Sequence, residues 1–342
     1  MTRSRVTLRD VARHVGVHAS TVSRVLNPET RGMVTAEIAR RVTEAAAALG
    51  YRPNPFAYSL KTNRSFTVGV LVPDLINPVF PPILRGIEAV LEPAGYTAIL
   101  ANGDGQPQRE RVALEKMRAR QVDGLILATA RREDALVAEC LAERIPLVLI
   151  NRTVDRADAP AVVNDDAAGI RLAVEHVAAL GHRRIAHVAG PAHLSTGHRR
   201  HLGFLAALRA LGLEADPRRI EACQAFSEAE GARALEALLA RGAQGTAVVA
   251  ANDLLALGCY DALEARGLRC PEHLSVTGFN DMPLVGKLHP PLTTVRIPLH
   301  EMGARAAEML LRQLNEPDAP VAPVLLAPEL IVRGSTGPVP PG

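Results

Sequence analysis

Apolar residues at Leu8, Val11, Ala12 and Val15 recur at i, i+3, i+4 and i+7, the spacing that gathers them on one stripe of an α-helix. Thr7, with Asp10 three positions on, marks its start as a capping pair, and Gly16 marks its end. After a turn of Gly16, Val17 and His18, a second short helix is predicted from Ala19 to Leu26, with Val22, Val25 and Leu26 on one side. Its other side carries Ala19, Ser20, Thr21, Ser23 and Arg24. A third helix is predicted over residues 35 to 49, turning Ile38, Val42, Ala45, Ala46 and Leu49 inward and closing at Gly50. Three such stripes can close a small core. In YRPNPFAYSLK, which follows, Asn54 suits a cap and Pro55 a first helical position, with only about two turns to come. A helix that short is marginal alone.

From Phe66 the pattern changes to short apolar runs alternating with amphipathic segments, the signature of parallel βαβ units. Strands are predicted at 67 to 72, 97 to 100, 124 to 128 and 146 to 150. A second set follows at 185 to 190, 247 to 251 and 274 to 279. Helix, glycine and strand recur in each half, with Gly95, Gly181 and Gly267 as helix ends, which points to two similar doubly wound lobes. Polar runs follow the strands: DLINPVF, ANGDG, TARR, NR, GPAHLSTGHRR, ANDLLALG and FNDMPL. Ligands of open α/β sheets bind beyond the carboxyl ends of strands, so these runs are where a binding site is sought.

Charge sharpens the division. Residues 1 to 64 hold 11 Lys/Arg against 4 Asp/Glu, and the remainder 28 against 32, so the excess positive charge lies on the helical N-terminus. That placement favours a polyanion partner, because neutralising phosphates releases counterions. Two short helices joined by a Gly-containing turn form the helix-turn-helix pattern, whose second helix enters the major groove. Small Ala19 and Ser20 allow close approach, Arg24 suits a bidentate contact to guanine, and the Thr21 and Ser23 hydroxyls suit phosphate oxygens. A helical hairpin with a merely solvated polar face is the competing reading.

The runs VTLRDVARHVGVHASTVSRVLN, VTAEIARRVTEAAAALGYRPNPFAYSL and SFTVGVLVPDLINPVF resemble the lactose/purine repressor (LacI) family of bacterial transcription regulators, over nearly the whole chain. The resemblance implies an N-terminal all-α helix-turn-helix domain (1 to 52), a hinge helix and linker (53 to 65), a bilobed α/β periplasmic-binding-protein-like core with two doubly wound parallel sheets (66 to 335), and a tail (336 to 342). Lobe 1 is expected over about 66 to 162 and 293 to 318, lobe 2 over about 163 to 292 and 319 to 335. It implies DNA contacts from Thr7, His18, Ala19, Ser20, Thr21, Ser23, Arg24 and Asn27. Leu60 is expected to wedge between base pairs in the minor groove, an insertion whose unstacking cost is offset by contacts the bent duplex permits. His18 stands where the family usually has Ser, and Ile38 and Ala39 replace a frequent Thr-Arg pair.

For the cleft between lobes, the resemblance implies effector contacts from Arg200, Asn252, Asp253, Asn280, Phe80 and Phe226, with Asn77, Thr129 and Thr196 as weaker candidates. Such a set suits a polyol: guanidinium, amide and carboxylate serve hydroxyls while a ring packs on the apolar sugar face. Asn280 occupies a position that is often Asp, and one fewer negative charge beside Arg200 favours a sugar acid. Arg200 paired to a structural carboxylate, Asp253 acting only as a cap and Phe226 as core are the structural alternatives.

The expected partners are a double-stranded DNA operator, a small-molecule effector and a second copy of the chain, with no membrane role and no cofactor. MTRSRVTLRD has no apolar core of a signal peptide, so a cytoplasmic, nucleoid-associated location is expected. Cys140, Cys223, Cys259 and Cys270 show no metal-ligand spacing, and no metal site is expected. A solute-binding protein without a DNA role is the alternative reading, and the basic reader argues against it. No nucleophile elbow, P-loop or triad supports an enzyme.

Overall fold

The computed structural model describes residues 6–27, 30–51, 64–155, 159–320 and 322–339. The chain divides into two compact units, Met1–Ser65 and Phe66–Gly342.

In the first unit, helices α1 (Leu8–Val15), α2 (Ala19–Leu26) and α3 (Ala36–Ala48) follow the predicted periodicity. Their stripes meet in a core where Val11, Val22 and Val42 are fully buried. Asp10 accepts from both the Thr7 amide (2.9 Å) and the Thr7 hydroxyl (2.6 Å), and these bonds hold its carboxyl below the ordinary range. Gly16 ends α1 at φ 73°, a left-handed conformation that glycine adopts without Cβ conflict. Arg41 on α3 donates to the Val15 carbonyl at 2.8 Å, tying α3 to the end of α1. Ile38 packs against this core as expected, and Ala39 beside it is buried as well. The expected hinge helix and Leu60 lie outside the described residues.

The second unit holds two six-stranded sheets of equivalent strand order. The first contains β1 (Thr67–Val72), β2 (Thr97–Asn102), β3 (Gly124–Leu127), β4 (Leu147–Ile150), β5 (Ala161–Asn164) and β11 (Val324–Leu326), in the order β11-β5-β4-β3-β1-β2. The second contains β6 (Ile185–Ala189), β7 (Ile220–Ala222), β8 (Ala247–Ala250), β9 (Ser275–Asn280), β10 (Thr293–Arg296) and β12 (Glu329–Ile331), in the order β12-β10-β9-β8-β6-β7. Every pairing is parallel except β10 with β12. Buried parallel strands account for the continuous apolar runs such as LVLI and AVVA.

Helices α4 (Phe80–Leu91), α5 (Pro107–Ala119) and α6 (Ala135–Ala142) belong to the first lobe, and α7 (Asp166–Ala179), α8 (Ser195–Ala210), α9 (Glu228–Ala240) and α10 (Asp253–Ala265) to the second. The last helix, α11 (Leu299–Asn315), packs on α4 with glycine against backbone on both sides. A Cβ on Gly86 would stand 2.0 Å from the His300 carbonyl oxygen, and one on Gly303 2.0 Å from that of Ile83.

The lobe boundaries differ from the expected ones. β10, expected in lobe 1, pairs with β9 of the second sheet, and β11, expected in lobe 2, pairs with β5 of the first. β5 extends to Asn164, so the first crossing comes after 162. The chain crosses between lobes after β5, β10 and β11, and three- or four-residue strands around such crossings carry too little apolar pattern to be assigned to a lobe from sequence. Nor do residues 336 and 337 form a free tail: Thr336 bonds the His176 ring at 2.8 Å and the Gly337 carbonyl bonds the His182 ring at 2.9 Å.

Candidate DNA interface and effector cleft

Helix α2 presents an exposed row of His18, Ser20 and Arg24, with Ala19, Thr21, Ser23 and Asn27 half-exposed beside it. Val22 and Val25 on its opposite side are buried, so packing against α1 and α3 fixes which face is presented. His18, in the place of the usual Ser, caps the helix: its Nδ1 accepts from the Ser20 amide at 3.3 Å and lies 2.8 Å from the Ser20 hydroxyl. The imidazole therefore supplies the acceptor that a hydroxyl would otherwise provide. Thr7 is engaged with Asp10 at the start of α1. The structure brings eight of the nine expected DNA-contacting residues into this unit; the ninth, Leu60, is not among the described residues.

In the second unit, a cleft of about 490 Å³ opens where strand ends of the two lobes face each other. Asn77 and Phe226 line it as expected. Asn77 also accepts from the Val79 amide at 3.1 Å, fixing the turn before α4. Phe226 lies so close to Gly190 that a Cβ there would come within 2.5 Å of its ring, which is why the strand-end loop needs glycine.

The other expected effector residues are more deeply placed. Arg200 is 2% exposed; its Nε donates to Asp166 at 2.8 Å and its Nη1 to the Ala251 carbonyl at 2.8 Å, and it stacks 3.8 Å from the Phe279 ring centroid. Burial pushes the Asp166 carboxyl up, and the Arg200 charge pulls against that. Asn252 caps α10 by accepting from Leu255 N at 2.9 Å. Asp253 is fully buried, accepting from Met282 N at 2.8 Å and the Thr294 hydroxyl at 2.5 Å, so it bolts α10 to the ends of β9 and β10. Burial pushes its carboxyl up to about 6 against those hydrogen bonds. Phe80 and Thr129 are buried, Asn280 is buried at the end of β9 with φ 119°, and Thr196 is buried with no partner for its hydroxyl.

Several cleft residues were not singled out from sequence although their strand-end runs were. Arg131, from TARR, holds the buried Glu110 carboxylate at 2.6 and 3.1 Å and the Gly105 carbonyl at 2.9 Å. Arg152, from NR, follows a tight turn closed by its own amide on the Ile150 carbonyl at 2.7 Å, with Asn151 at φ 64°. Asn tolerates that left-handed conformation better than most residues. Asp104, from ANGDG, pairs with Arg109. His193 and Leu194 complete the second-lobe wall. Arg132 ties that wall to the first lobe: its amide donates to the His193 carbonyl at 3.0 Å, and its guanidinium pairs with Asp155 at 2.7 Å and reaches the Ala192 carbonyl at 3.3 Å.

Known proteins share both units. Residues 7–54 match the model of bacterial regulatory proteins, lacI family, and residues 174–336 the periplasmic binding protein-like domain. The transcriptional repressor CytR of Escherichia coli is 34% identical over 335 residues, covering 98% of this chain and 97% of its own length. The chain belongs to the lacI family. The ribose operon repressor of Halalkalibacterium halodurans is a further relative, 34% identical over 96% of the chain and 97% of that protein. Among solved structures, the lac repressor dimer bound to operator and the anti-inducer ONPF superposes with a TM-score of 0.86 at 29% identity, covering 98% of this chain and all of that one. The lacI-family fold, a helix-turn-helix unit and a two-lobed core with parallel sheets, is therefore this chain's fold. Among the described residues no helix is long and apolar enough to cross a membrane.

Proposed function

We propose that the protein is a cytoplasmic transcriptional repressor that binds a palindromic operator as a homodimer and is controlled by a small-molecule effector of the sugar or sugar-acid class. The observation that carries this reading is the exposed row His18, Ser20 and Arg24 on α2, held by a closed three-helix core within a basic segment. A three-helix reader spans too few base pairs to specify one site in a genome, and two copies related by a two-fold axis double the contacts. Residues 53 to 65 are assigned as hinge, with Leu60 as the minor-groove wedge.

An apolar groove supports the dimer. Leu254, Leu257 and Met282 line a cavity of about 360 Å³ flanked by Ile76, 90% exposed, and Leu284, 70% exposed. A contiguous apolar surface of that kind is unfavourable in water unless covered. A second copy of the chain is the occupant this reading requires. Effector binding then acts through lobe closure, which the Arg132 contacts to the 192–193 loop bias, and the hinges transmit it to the readers.

No catalytic role is assigned to the cleft, where Asp104 pairs with Arg109 and Arg131 is held by the buried Glu110. The decisive experiment is selection of bound duplexes from a random DNA library at moderate salt, without added effector. One recovered palindrome with a flexible pyrimidine-purine step at its centre is the expected result. Recovery of no sequence, with and without metabolite extract, would transfer the reading to a solute-binding protein.

A further inference from the structure

Two arginines, Arg131 and Arg152, line the cleft, and Arg200 is buried in the second lobe; of the three, only Arg152 lacks a carboxylate. Arg131 is held bidentately by Glu110, a residue 1% exposed, and Arg200 by Asp166, 3% exposed. Arg152 is different. Among the described residues its guanidinium has no ion pair and no hydrogen bond, and its Nε is buried without a partner. The charged groups that act on it are Glu110, Arg131 and Arg200, each engaged elsewhere, so the Arg152 guanidinium is left without a carboxylate partner. The acidic groups on the cleft wall are not paired with Arg152: Asp104 pairs with Arg109, and Asp74 accepts from the Ile76 amide at 2.8 Å.

The neighbourhood responds to that charge. His193, on the facing wall, is pushed below its ordinary range first by burial and then by Arg131 and Arg152, so it stays neutral at neutral pH. Buried polar atoms in a native fold are normally satisfied, so the orphaned Nε of Arg152, a residue that lines the cleft, points to a ligand or ordered water that satisfies it.

Resting on the effector-cleft reading above, we propose that the effector is a monoanionic sugar carboxylate whose carboxylate is held by Arg152. The guanidinium fork matches a carboxylate in plane and charge, and a charge-assisted pair there removes the cost of leaving Nε unpaired. A single carboxylate supplies the one ion pair that Arg152 lacks, whereas a phosphate monoester brings about one negative charge more, beside the Asp74 carboxylate on the same wall. Arg131, anchored by Glu110, acts as a wall of fixed position rather than as the anion anchor.

The test uses the full-length chain in thermal melts and calorimetric titrations with matched probes: glucose and gluconate, galactose and galacturonate, ribose and ribose 5-phosphate. A carboxylate member is expected to bind at least tenfold more tightly than its neutral counterpart. Arg152→Gln is expected to erase that preference while melting, without sugar, at or above the wild-type temperature, because it removes a buried unpaired nitrogen. Arg152→Lys is expected to retain part of the preference. A neutral or phosphorylated probe binding best, a carboxylate preference surviving in Arg152→Gln, or a clear loss of unliganded stability in that variant overturns the proposal and leaves the cleft an effector site. Silence of all six probes in protein that still selects an operator also overturns it, and leaves the DNA-binding reading standing.

Discussion

Arg200 and Asp166 form a buried ion pair, Nε to Oδ1 at 2.8 Å, joining α8 to the first turn of α7 immediately after the crossing from the first lobe. Both side chains are almost inaccessible, and the guanidinium is further packed on Phe279. Removing one partner strands the other charge in a low-dielectric interior. Arg200→Ala is therefore expected to lose about 3–5 kcal/mol of stability. Urea unfolding of Arg200→Ala against wild type measures this, and a midpoint unchanged within error would show the pair to be dispensable to the fold.

Two buried groups give stability opposite dependences on pH. His187 stacks on Phe204 at 4.5 Å, bonds the Val249 carbonyl at 2.7 Å, and burial pushes it down from 6.5 to about 3. The unfolded chain then binds the extra proton below pH 6.5, so this contribution is lost as pH falls from 6.5 towards 3. Asp253, raised from 3.8 to about 6, contributes in the other sense: its stabilisation is present at low pH and lost as pH rises through about 6. Going from pH 7 to pH 5, His187→Phe should gain roughly 2 kcal/mol relative to wild type, and Asp253→Asn should lose roughly 1 kcal/mol. Denaturant melts at the two pH values check both; shifts of the same sign in the two variants would contradict the assignment.

The contact between α4 and α11 leaves no room for a methyl group at Gly303, where a Cβ would meet the Ile83 carbonyl at 2.0 Å. Backbone cannot yield as a flexible side chain does, so Gly303→Ala should destabilise the second unit by about 1–3 kcal/mol even though alanine favours helix. Gly32, with nothing within 4 Å of its Cβ position, is the control. Equal melting temperatures for Gly303→Ala and Gly32→Ala would show that the two helices separate without cost.

If a second copy covers the groove flanked by Ile76 and Leu284, a charge placed there must leave water to form the dimer. Leu284→Glu is expected to yield monomers at micromolar concentration with the fold intact, read by sedimentation velocity and circular dichroism, and to weaken operator binding at least tenfold. A Leu284→Glu protein that still sediments as a dimer would place the interface elsewhere.

Local chemistry made the first unit legible. Residues 7 to 50 carry helical periodicity, a capping pair and glycine ends, and each is decided within a few residues of the chain. The β-α alternation was legible for the same reason: strands buried on both faces must be apolar throughout, as in LVLI. The polar strand-end runs, including NR at Asn151 and Arg152, also announced where a cleft would form.

Which lobe a short strand joins was settled only by tertiary structure, because β10 and β11 are defined by the neighbours they pair with rather than by their own three or four residues. The same holds for the arginines. Nothing in a linear sequence distinguishes Arg200, neutralised by Asp166, from Arg152, which has no carboxylate partner among the described residues, since the distinction lies in which carboxylate folding brings within reach of which guanidinium. Sequence determined the elements and the charge of the reader; only packing in three dimensions decided which polar groups are spent on holding the fold and which remain to bind something else.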